Sequence, residues 1–470
     1  MAVQFEVKVL EHCRVSPPPN SVPTTSLPLT FFDIPWLLCR PMQRILLYEF
    51  GCSTAQFVTD VLPQLKHSLS LALQLFFPLS GNLVCPPHPA KPHILYSDGD
   101  SVTFTAAECG GVFSDLLRGG LRDAKEIHPL VPPIPIPPSR ILNESLLELT
   151  PLLALQVTLF PNMGICVGIQ FNHVVADGMA CTYFLKTWAS LFQSRSGLSC
   201  IDEVLPVVDR GVIKDTDRIE DVLLNQWRGW GSPRWKDNAA TVGLLEEKVR
   251  ATFVLTRGDI EKLKNWVSGK CISAKHTKPV HISSFVVACA FTWVCVIKSQ
   301  DKITNDSFGD EDLCHFSFVA DCRNRKEISV PSTYFGNCLA ICFVSVKRGL
   351  FRGEDSIALA ADAIGRRVQE LESGVLVGAE KWLLQWNEVS ETGDLLTVAG
   401  SPRLALYETD FGWGRPRLVE MVQIDASGAM YLTEARNEKG GVEVGLARSR
   451  AQLEAFSSIF QLGKDQLQQC

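Results

Sequence analysis

Two β-rich segments followed directly by a helical pattern constrain the fold of this chain most strongly. Residues 152–160 and 164–172 are rich in β-branched and aromatic side chains, and Pro161-Asn162-Met163 between them is typical of a hairpin or another tight connection. From residue 179 the apolar residues recur with the period of a helix. This order of elements predicts a mixed sheet covered by helices.

Strand and helix patterns alternate again in the second half of the chain. Three segments carry them: a buried helix at 285–297, a strand at 338–346 and an amphipathic helix at 357–371. A chain of 470 residues is long enough for two or three domains. We therefore expect an α/β or α+β fold in two domains, 1–200 and 236–470, joined by a crossover segment at 201–235.

Charge and apolar content exclude two classes of partner. The net charge is −6, from 45 basic and 51 acidic residues without a long block of one sign, which does not favour nucleic-acid binding. The longest apolar stretch, 285–297, is well short of the roughly 20 residues that a membrane helix needs.

The 16 cysteines are scattered without metal-ligand spacing, and the charged start lacks the apolar core of an export signal. We expect reduced thiols, no metal and a cytosolic location.

His173 is the candidate for chemistry. Alternate residues of the second β-rich segment share one face, and His173 continues that parity at the end of the strand, so its imidazole is predicted to point inward. Asp177 then stands where a helix N-cap is expected and is followed by Gly178. Position alone leaves three interpretations open: a general base, a hydrogen-bonded core histidine, or the start of a metal site, for which no third ligand is nearby.

Two motifs add a resemblance. The segment NHVVADG, Asn172 to Gly178, resembles the HxxxDG motif of the plant BAHD acyltransferases, and DFGWG, Asp410 to Gly414, is identical to their second motif. Similar segments run through most of the chain, at 26–37, 76–83, 283–295, 397–403 and 440–446. YFGNC, Tyr334 to Cys338, resembles the marker of the clade that acylates anthocyanins and other phenolic glycosides, commonly with malonyl-CoA.

This resemblance implies a fold and a mechanism. The fold would be two domains like chloramphenicol acetyltransferase with a channel between them and His173 at its centre. An acyl-CoA co-substrate and an acceptor hydroxyl would enter from opposite sides and react directly in a ternary complex, with no tightly bound cofactor. A neutral imidazole that removes the hydroxyl proton contributes about 10² to 10⁴-fold in rate. The chain contains no GxSxG elbow for an acyl-serine, in agreement with direct transfer.

The resemblance also implies roles for further residues. Asp177 would be a structural partner of an arginine of the other domain, and Arg323 in ADCRNR is our candidate. Asp410 is grouped with His173 and Asp177 as essential, with a structural role favoured over proton transfer. The remaining members of the two motifs would shape the backbone around the active site: Gly178, Gly412, Trp413 and Gly414.

Coenzyme binding is predicted where a basic run precedes the apolar helix of the second half. The run contains Arg257, Lys262, Lys264, Lys270, Lys275 and Lys278. Such a run is more often a solvated helix face. Here it is followed by Ser283 and Ser284 at a helix N-terminus, which favours phosphate, so Lys264 and both serines are the predicted CoA contacts. Ser401 is a further candidate, since the tetrahedral oxyanion needs donors, and either its hydroxyl or backbone N–H groups near the second motif would supply them.

The preferred function is transfer of malonyl from malonyl-CoA to a sugar hydroxyl of a flavonoid or other phenolic glycoside by a monomeric enzyme. One departure bears on the donor: residues 179–185, where some malonyl-using relatives carry an arginine, have no charge before Lys186. Acetyl-CoA and hydroxycinnamoyl-CoA therefore remain alternatives. A non-catalytic binding paralogue is the alternative from another class, and the intact His173, Asp177 and DFGWG argue against it.

Overall fold

Strands that are far apart in the chain come together in the sheets of this protein. The computed structural model describes residues 6–134, 140–142, 145–147, 149–195, 205–230, 247–273, 281–304, 308–325 and 327–469. The strands of the first half are β1 (Val7–Val15), β2 (Thr25–Pro28), β3 (Met42–Glu49), β4 (Asn82–Val84), β5 (His93–Tyr96), β6 (Val102–Cys109), β7 (Arg122–Asp123), β8 (Arg140–Leu142), β9 (Ser145–Leu147), β10 (Leu149–Pro151), β11 (Leu153–Phe160) and β12 (Gly164–Phe171). Those of the second half are β13 (Lys248–Leu255), β14 (Leu313–Asp321), β15 (Leu339–Lys347), β16 (Leu395–Ala399), β17 (Leu418–Met421), β18 (Met430–Glu434) and β19 (Val442–Ser449).

Helices cover these sheets. In chain order the described α-helices are α1 (Thr54–Gln56), α2 (Leu62–Leu75), α3 (Phe113–Leu117), α4 (Gly178–Ser194), α5 (Ile219–Gly229), α6 (Arg257–Ser273), α7 (Ser284–Thr304), α8 (Ser356–Glu370), α9 (Trp382–Glu391), α10 (Ile424–Ser427) and α11 (Arg450–Gln469). The three helices predicted from apolar period are confirmed as α4, α7 and α8. No helix in the described ranges has the length and apolar character needed to cross a membrane.

The first large sheet has the strand order β1-β6-β11-β12-β3-β17, with the predicted hairpin at its centre. Strands β11 and β12 pair in antiparallel register from Leu153 opposite Phe171 to Phe160 opposite Gly164. On one face, Ile165 and its alternate neighbours share a core with Phe184 and Trp188 of α4. The opposite face packs under Leu130, whose carbonyl oxygen would lie 2.0 Å from a Cβ at Gly168. Both faces are therefore buried, and only glycine fits at Gly168.

The second large sheet has the order β15-β14-β16-β18-β19-β13-β7. Helix α7 lies in the hydrophobic core beside this sheet and contacts α6, α8 and α11. Every residue of α7 from Val286 to Ile297 is buried, which explains its continuous apolar run. Together the two sheets and their helices confirm the predicted mixed α/β class.

Each large sheet includes one strand from the other half of the chain. Strand β7 pairs with β13 in the second sheet, and β17 pairs with β3 in the first. Glu420 of β17 forms buried ion pairs with Arg122 and Arg250, and Arg250 also binds Asp425 at 2.9 Å. The predicted domain boundaries at 200 and 236 stay a prediction, and parts of the crossover segment lie outside the described residues.

Candidate active site

His173 lies in the turn that joins strand β12 to helix α4. Its ring follows the face of Phe171, with ring centroids 6.2 Å apart, and stacks on Trp36 at 3.8 Å with an interplanar angle of 14°. Trp36 belongs to a 3-10 helix, Ile34–Leu38, from the first half of the chain. The side chain of His173 is buried, with 8% of its surface exposed. The parity of β12 thus turns the imidazole inward, as expected.

Asn337 determines which nitrogen of His173 carries the proton. Its amide Nδ2 donates to Asp33 Oδ1 at 2.9 Å, to the carbonyl oxygen of His173 at 2.9 Å and to that of Val174 at 3.2 Å. These three acceptors fix the orientation of the amide, so Oδ1 faces Nδ1 of His173 at 3.0 Å. An amide oxygen can only accept, and Nδ1 must therefore carry the hydrogen. Nε2 is left with its lone pair.

The imidazole is neutral as well as oriented. Burial lowers the pKa of His173 to about 4, and the positive charge of Arg44 adds to the lowering while Asp177 opposes it. At neutral pH Nε2 is therefore an unprotonated acceptor. No described residue forms a hydrogen bond with Nε2, so its lone pair has no protein partner.

Asp177 is a helix cap and one half of a buried ion pair. It accepts a hydrogen bond from the backbone of Ala180 at 2.9 Å, which caps α4 as predicted, and one from Cys338 at 3.1 Å. Its other partner is Nη1 of Arg323 at 2.7 Å, the contact that the resemblance implied. The Asp177 side chain is fully buried and Arg323 is 2% exposed. The pair ties the turn after β12 to the segment before β15, because Arg323 also donates to the carbonyl of Gly336 at 3.0 Å.

A second buried arginine, Arg210, ties the same two turns together. It donates to the Tyr334 hydroxyl at 2.8 Å, to the carbonyl of Phe335 at 2.8 Å and to that of Val175 at 3.2 Å. A Cβ on Gly336 would lie 1.6 Å from its Nη1, so only glycine fits there. Arg210 comes from the predicted crossover segment, which thus supplies a residue beneath the His173 turn.

The turn that contains Asp410 lies near the start of β12, and His173 follows the end of that strand. The Tyr48 hydroxyl donates to the carbonyl of Thr409 at 2.9 Å, and Tyr48 pairs with Ile165 in β12. Ile165 precedes His173 by eight residues, roughly 27 Å along an extended strand. This agrees with the structural role favoured for Asp410 from the sequence, and its place among the catalytic residues stays a prediction.

That structural role is a tight turn. Oδ1 of Asp410 accepts from the backbone N–H of Gly412 at 2.7 Å and of Gly414 at 2.9 Å. The φ angles of the two glycines, 85° and 82°, are left-handed and favour glycine. Between them Trp413 packs its ring 5.4 Å from Phe50 and 5.2 Å from Phe192, at the C-terminal end of α4.

The predicted coenzyme contacts Lys264, Ser283 and Ser284 lie on helix α6 and at the start of helix α7, and the two helices contact each other. Lys264 on α6 pairs with Glu261 at 3.1 Å on the helix surface. Ser283 accepts from the backbone of Val286 at 3.3 Å and so caps α7, whose first residue is Ser284. Lys275 and Lys278 of the basic run lie outside the described residues.

Ser401 lies in a turn that reaches the start of α4. Its hydroxyl oxygen accepts from the backbone N–H of Arg403 at 3.2 Å, which leaves the hydroxyl hydrogen free to donate. Leu404 of the same turn would contact a Cβ on Gly178 at 3.3 Å. The turn is thus brought to the helix terminus that Asp177 caps, close to the His173 turn.

A cavity of about 820 Å³ opens beside Phe31, which precedes Asp33 by two residues. Its lining includes Asp209, Lys214, Glu327 and Val377. No residue predicted for the site is among its lining residues. The expected channel through His173 therefore stays a prediction.

Sequence reasoning did not single out Asp33, Trp36, Arg210 or Asn337. Three of them stand in segments that carried the family resemblance: Asp33 and Trp36 in 26–37, and Asn337 in YFGNC. Those strings could have been examined residue by residue for polar side chains. Arg210 had no comparable signal, since a single arginine in a polar connector is ordinary.

Comparisons with known proteins identify relatives of this chain. A family model described as Transferase family matches residues 5–462. The chain is 38% identical to coumaroyl-CoA:anthocyanidin 3-O-glucoside-6''-O-coumaroyltransferase 1 of Arabidopsis thaliana, covering 97% of each protein. It is 35% identical to malonyl-coenzyme A:anthocyanin 3-O-glucoside-6''-O-malonyltransferase of Dahlia pinnata, again over 97% of each. Phenolic glucoside malonyltransferase 1 of Nicotiana tabacum is also 35% identical, over 97% of this chain and 98% of that protein.

A solved structure shares the fold. Vinorine synthase superimposes with a TM-score of 0.66 over 96% of both chains, at 20% identity. The resemblance inferred from the two motifs is confirmed by these matches, which cover 96% or more of the chain. The chain therefore belongs to the Transferase family of BAHD acyltransferases and is itself an acyltransferase.

Proposed function

We propose that this enzyme transfers malonyl from malonyl-CoA to a sugar hydroxyl of an anthocyanin or other phenolic glucoside, with His173 as general base. The observation that carries the proposal is the Asn337 contact, which leaves a neutral Nε2 without a protein partner. The substrate class is supported by relatives that act on anthocyanin and phenolic glucosides.

The reaction follows from the properties of the imidazole. Nε2 of His173 accepts the proton of the sugar hydroxyl while the oxygen attacks the thioester carbonyl. The tetrahedral intermediate then collapses, the carbon–sulfur bond breaks, and the imidazolium returns its proton to the CoA thiolate. The products are the ester and free CoA, and the enzyme is regenerated without a covalent intermediate.

We also propose which residues donate to the oxyanion of the tetrahedral intermediate and which bind the phosphates of the coenzyme. The Ser401 hydroxyl hydrogen is free, and its turn reaches the start of α4. Ser283 and Ser284 begin α7 near the end of β14, since Phe285 packs 5.5 Å from Phe318, and β14 leads towards Arg323. The surface pair of Lys264 with Glu261 is weak enough to release the ammonium to a phosphate.

The coenzyme assignment is tested by affinity for CoA. We expect Lys264→Ala and Ser284→Ala each to weaken CoA binding several-fold in calorimetry, while Lys347→Ala, which removes another surface ion pair, leaves it unchanged. Unchanged binding in both site variants would remove this coenzyme site.

A coumaroyl donor is the second candidate, because relatives at 38% and 36% identity are coumaroyltransferases. The absence of an arginine from 179–185 also favours it. Free CoA release measured with malonyl-, acetyl- and coumaroyl-CoA and one anthocyanin 3-glucoside separates the donors. The malonyl proposal requires the highest kcat/KM with malonyl-CoA. Binding of both substrates without turnover of any pair would instead indicate a non-catalytic paralogue.

The proposal also places the enzyme in the cytosol as a monomer. Within the described residues the cysteines form no disulfide, and most of them are buried. This is compatible with a reducing compartment. Gel filtration and fractionation of the tagged protein test both points.

A further inference from the structure

Arg44 lies on the same face of the first sheet as His173. On β3 it stands opposite Ile169 of β12, and directly paired residues of antiparallel strands share a face. Ile169, Phe171 and His173 follow one another at alternate positions on that face. The guanidinium carbon of Arg44 lies 5.6 Å from the centre of the Phe171 ring. The side chain therefore extends towards the end of the strand where His173 is found.

The guanidinium also reaches the start of α4. Its Nη2 would lie 3.5 Å from a Cβ on Gly178, the residue that follows Asp177. A helix N-terminus carries partial positive charge, so a second cation there is unfavourable unless an anion is present. Asp177 does not fill that role, because its carboxylate is bound to Arg323 and to two backbone N–H groups.

Arg44 differs from the other buried arginines of the described chain in pairing with no described carboxylate. Four buried arginines pair with carboxylates: Arg210 with Asp33, Arg250 with Glu420 and Asp425, Arg323 with Asp177, and Arg348 with Asp301 and Asp394. Arg44 is 4% exposed, and its Nε and Nη1 are buried without a hydrogen-bond partner. A buried charge is normally paired, because its desolvation is otherwise uncompensated. The charge of Arg44 is thus not compensated by any carboxylate of the described residues.

We propose that Arg44 binds the carboxylate of the malonyl group when the thioester carbonyl lies at His173. The carboxylate of malonyl-CoA is separated from that carbonyl by a single methylene, so its cation must lie close to the base, as Arg44 does. A planar guanidinium matches a carboxylate with two parallel hydrogen bonds. Arg44 would thus replace the arginine missing from 179–185. This inference rests on the proposed malonyl transfer.

Donor discrimination tests the assignment. We expect the wild type to bind malonyl-CoA more tightly than acetyl-CoA in calorimetry, and Arg44→Met to lower the malonyl-to-acetyl ratio of kcat/KM about 100-fold. Arg44→Lys keeps the positive charge but loses the planar guanidinium that forms two parallel hydrogen bonds. It should lower the malonyl-to-acetyl ratio about tenfold. Arg417→Met, which removes an exposed arginine paired with Glu49, should leave the ratio unchanged.

The outcomes separate this inference from the proposed function. Equal loss with both donors in Arg44→Met would make Arg44 structural and overturn the assignment. Equal affinity of the wild type for the two donors would overturn it without any variant. The wild type could turn over coumaroyl-CoA fastest and yet bind malonyl-CoA more tightly than acetyl-CoA through Arg44. That result would refute malonyl transfer as the function and support carboxylate binding by Arg44. A higher Tm of Arg44→Met than of the wild type would support the conclusion that the charge of Arg44 is uncompensated in the free enzyme.

Discussion

Nδ1 of His173 and Oδ1 of Asn337 lie 3.0 Å apart, and this single contact joins the turn after β12 to the YFGNC segment. Asn337 in turn is held by Asp33, from a third segment of the chain. The base is therefore positioned by residues that are distant in sequence. Its tautomer and its orientation depend on the same amide.

Loss of the Asn337 amide should slow the chemical step. We expect Asn337→Ala to lower kcat about 10 to 100-fold, because the supporting hydrogen bond selects the reactive tautomer, with little change in KM for acyl-CoA. Selective ¹⁵N-histidine labelling should show a mixed tautomer for His173. A fall in kcat with the wild-type ¹⁵N shifts retained would show that Asn337 does not act through the tautomer.

The pH profile should reflect the lowered pKa of His173. Because the buried imidazole titrates at about 4, we expect kcat/KM to hold down to about pH 5, whereas an ordinary histidine would lose activity below 6.5. Initial rates with a saturating acceptor in buffers of constant ionic strength measure this. An acid limb near 6.5 would show that solvent reaches the ring more freely than its burial indicates.

The free energy of unfolding should also depend on pH because of the lowered pKa of His173. The pKa of His173 is lower in the folded than in the unfolded chain, so the unfolded chain binds more protons between about pH 4 and 6.5. The stabilisation is complete above 6.5 and is lost as the pH falls towards 4. From pH 7 to pH 5 the free energy of unfolding should fall about 2 kcal/mol further in wild type than in His173→Gln. Parallel curves in urea titrations would contradict the lowered pKa.

The buried pair of Arg323 with Asp177 should be costly to break from one side. We expect Arg323→Ala to lower the free energy of unfolding by about 3 to 5 kcal/mol, because Asp177 is left buried without a counter-charge. Adding Asp177→Asn should recover part of the loss. Arg367→Ala, which breaks an exposed pair with Glu370, should cost about 1 kcal/mol or less. Additive losses in the double variant would show that the two charges are not coupled.

Two substitutions at Asp410 separate structure from proton transfer. Asp410→Asn keeps an oxygen that can accept from Gly412 and Gly414, so activity should stay within about threefold of wild type. Asp410→Ala loses both hydrogen bonds and should lower the free energy of unfolding by about 1 to 3 kcal/mol. A hundredfold loss of kcat in Asp410→Asn at unchanged Tm would instead assign Asp410 a role in proton transfer.

Local patterns predicted the elements but not the assembly of the site. The apolar periods located the hairpin, α4, α7 and α8, because each depends on near neighbours in the chain. The Asp177 cap was predicted for the same reason, since a cap acts within three residues. Asn337 and Arg210 could not be predicted as partners of the His173 turn, because their distance from it depends on how the sheets pack. The role of Asp410 was left between structure and proton transfer, because a shared motif does not specify position.

The exchange of β7 and β17 between the two sheets has a consequence during synthesis. Strand β3 leaves the ribosome early, but β17, which pairs with β3 at the edge of the sheet, emerges only near the end of translation. Until then β3 presents an unpaired edge, which is a site for unwanted association. The nascent first half therefore cannot complete its sheet alone, and the last part of the chain closes it.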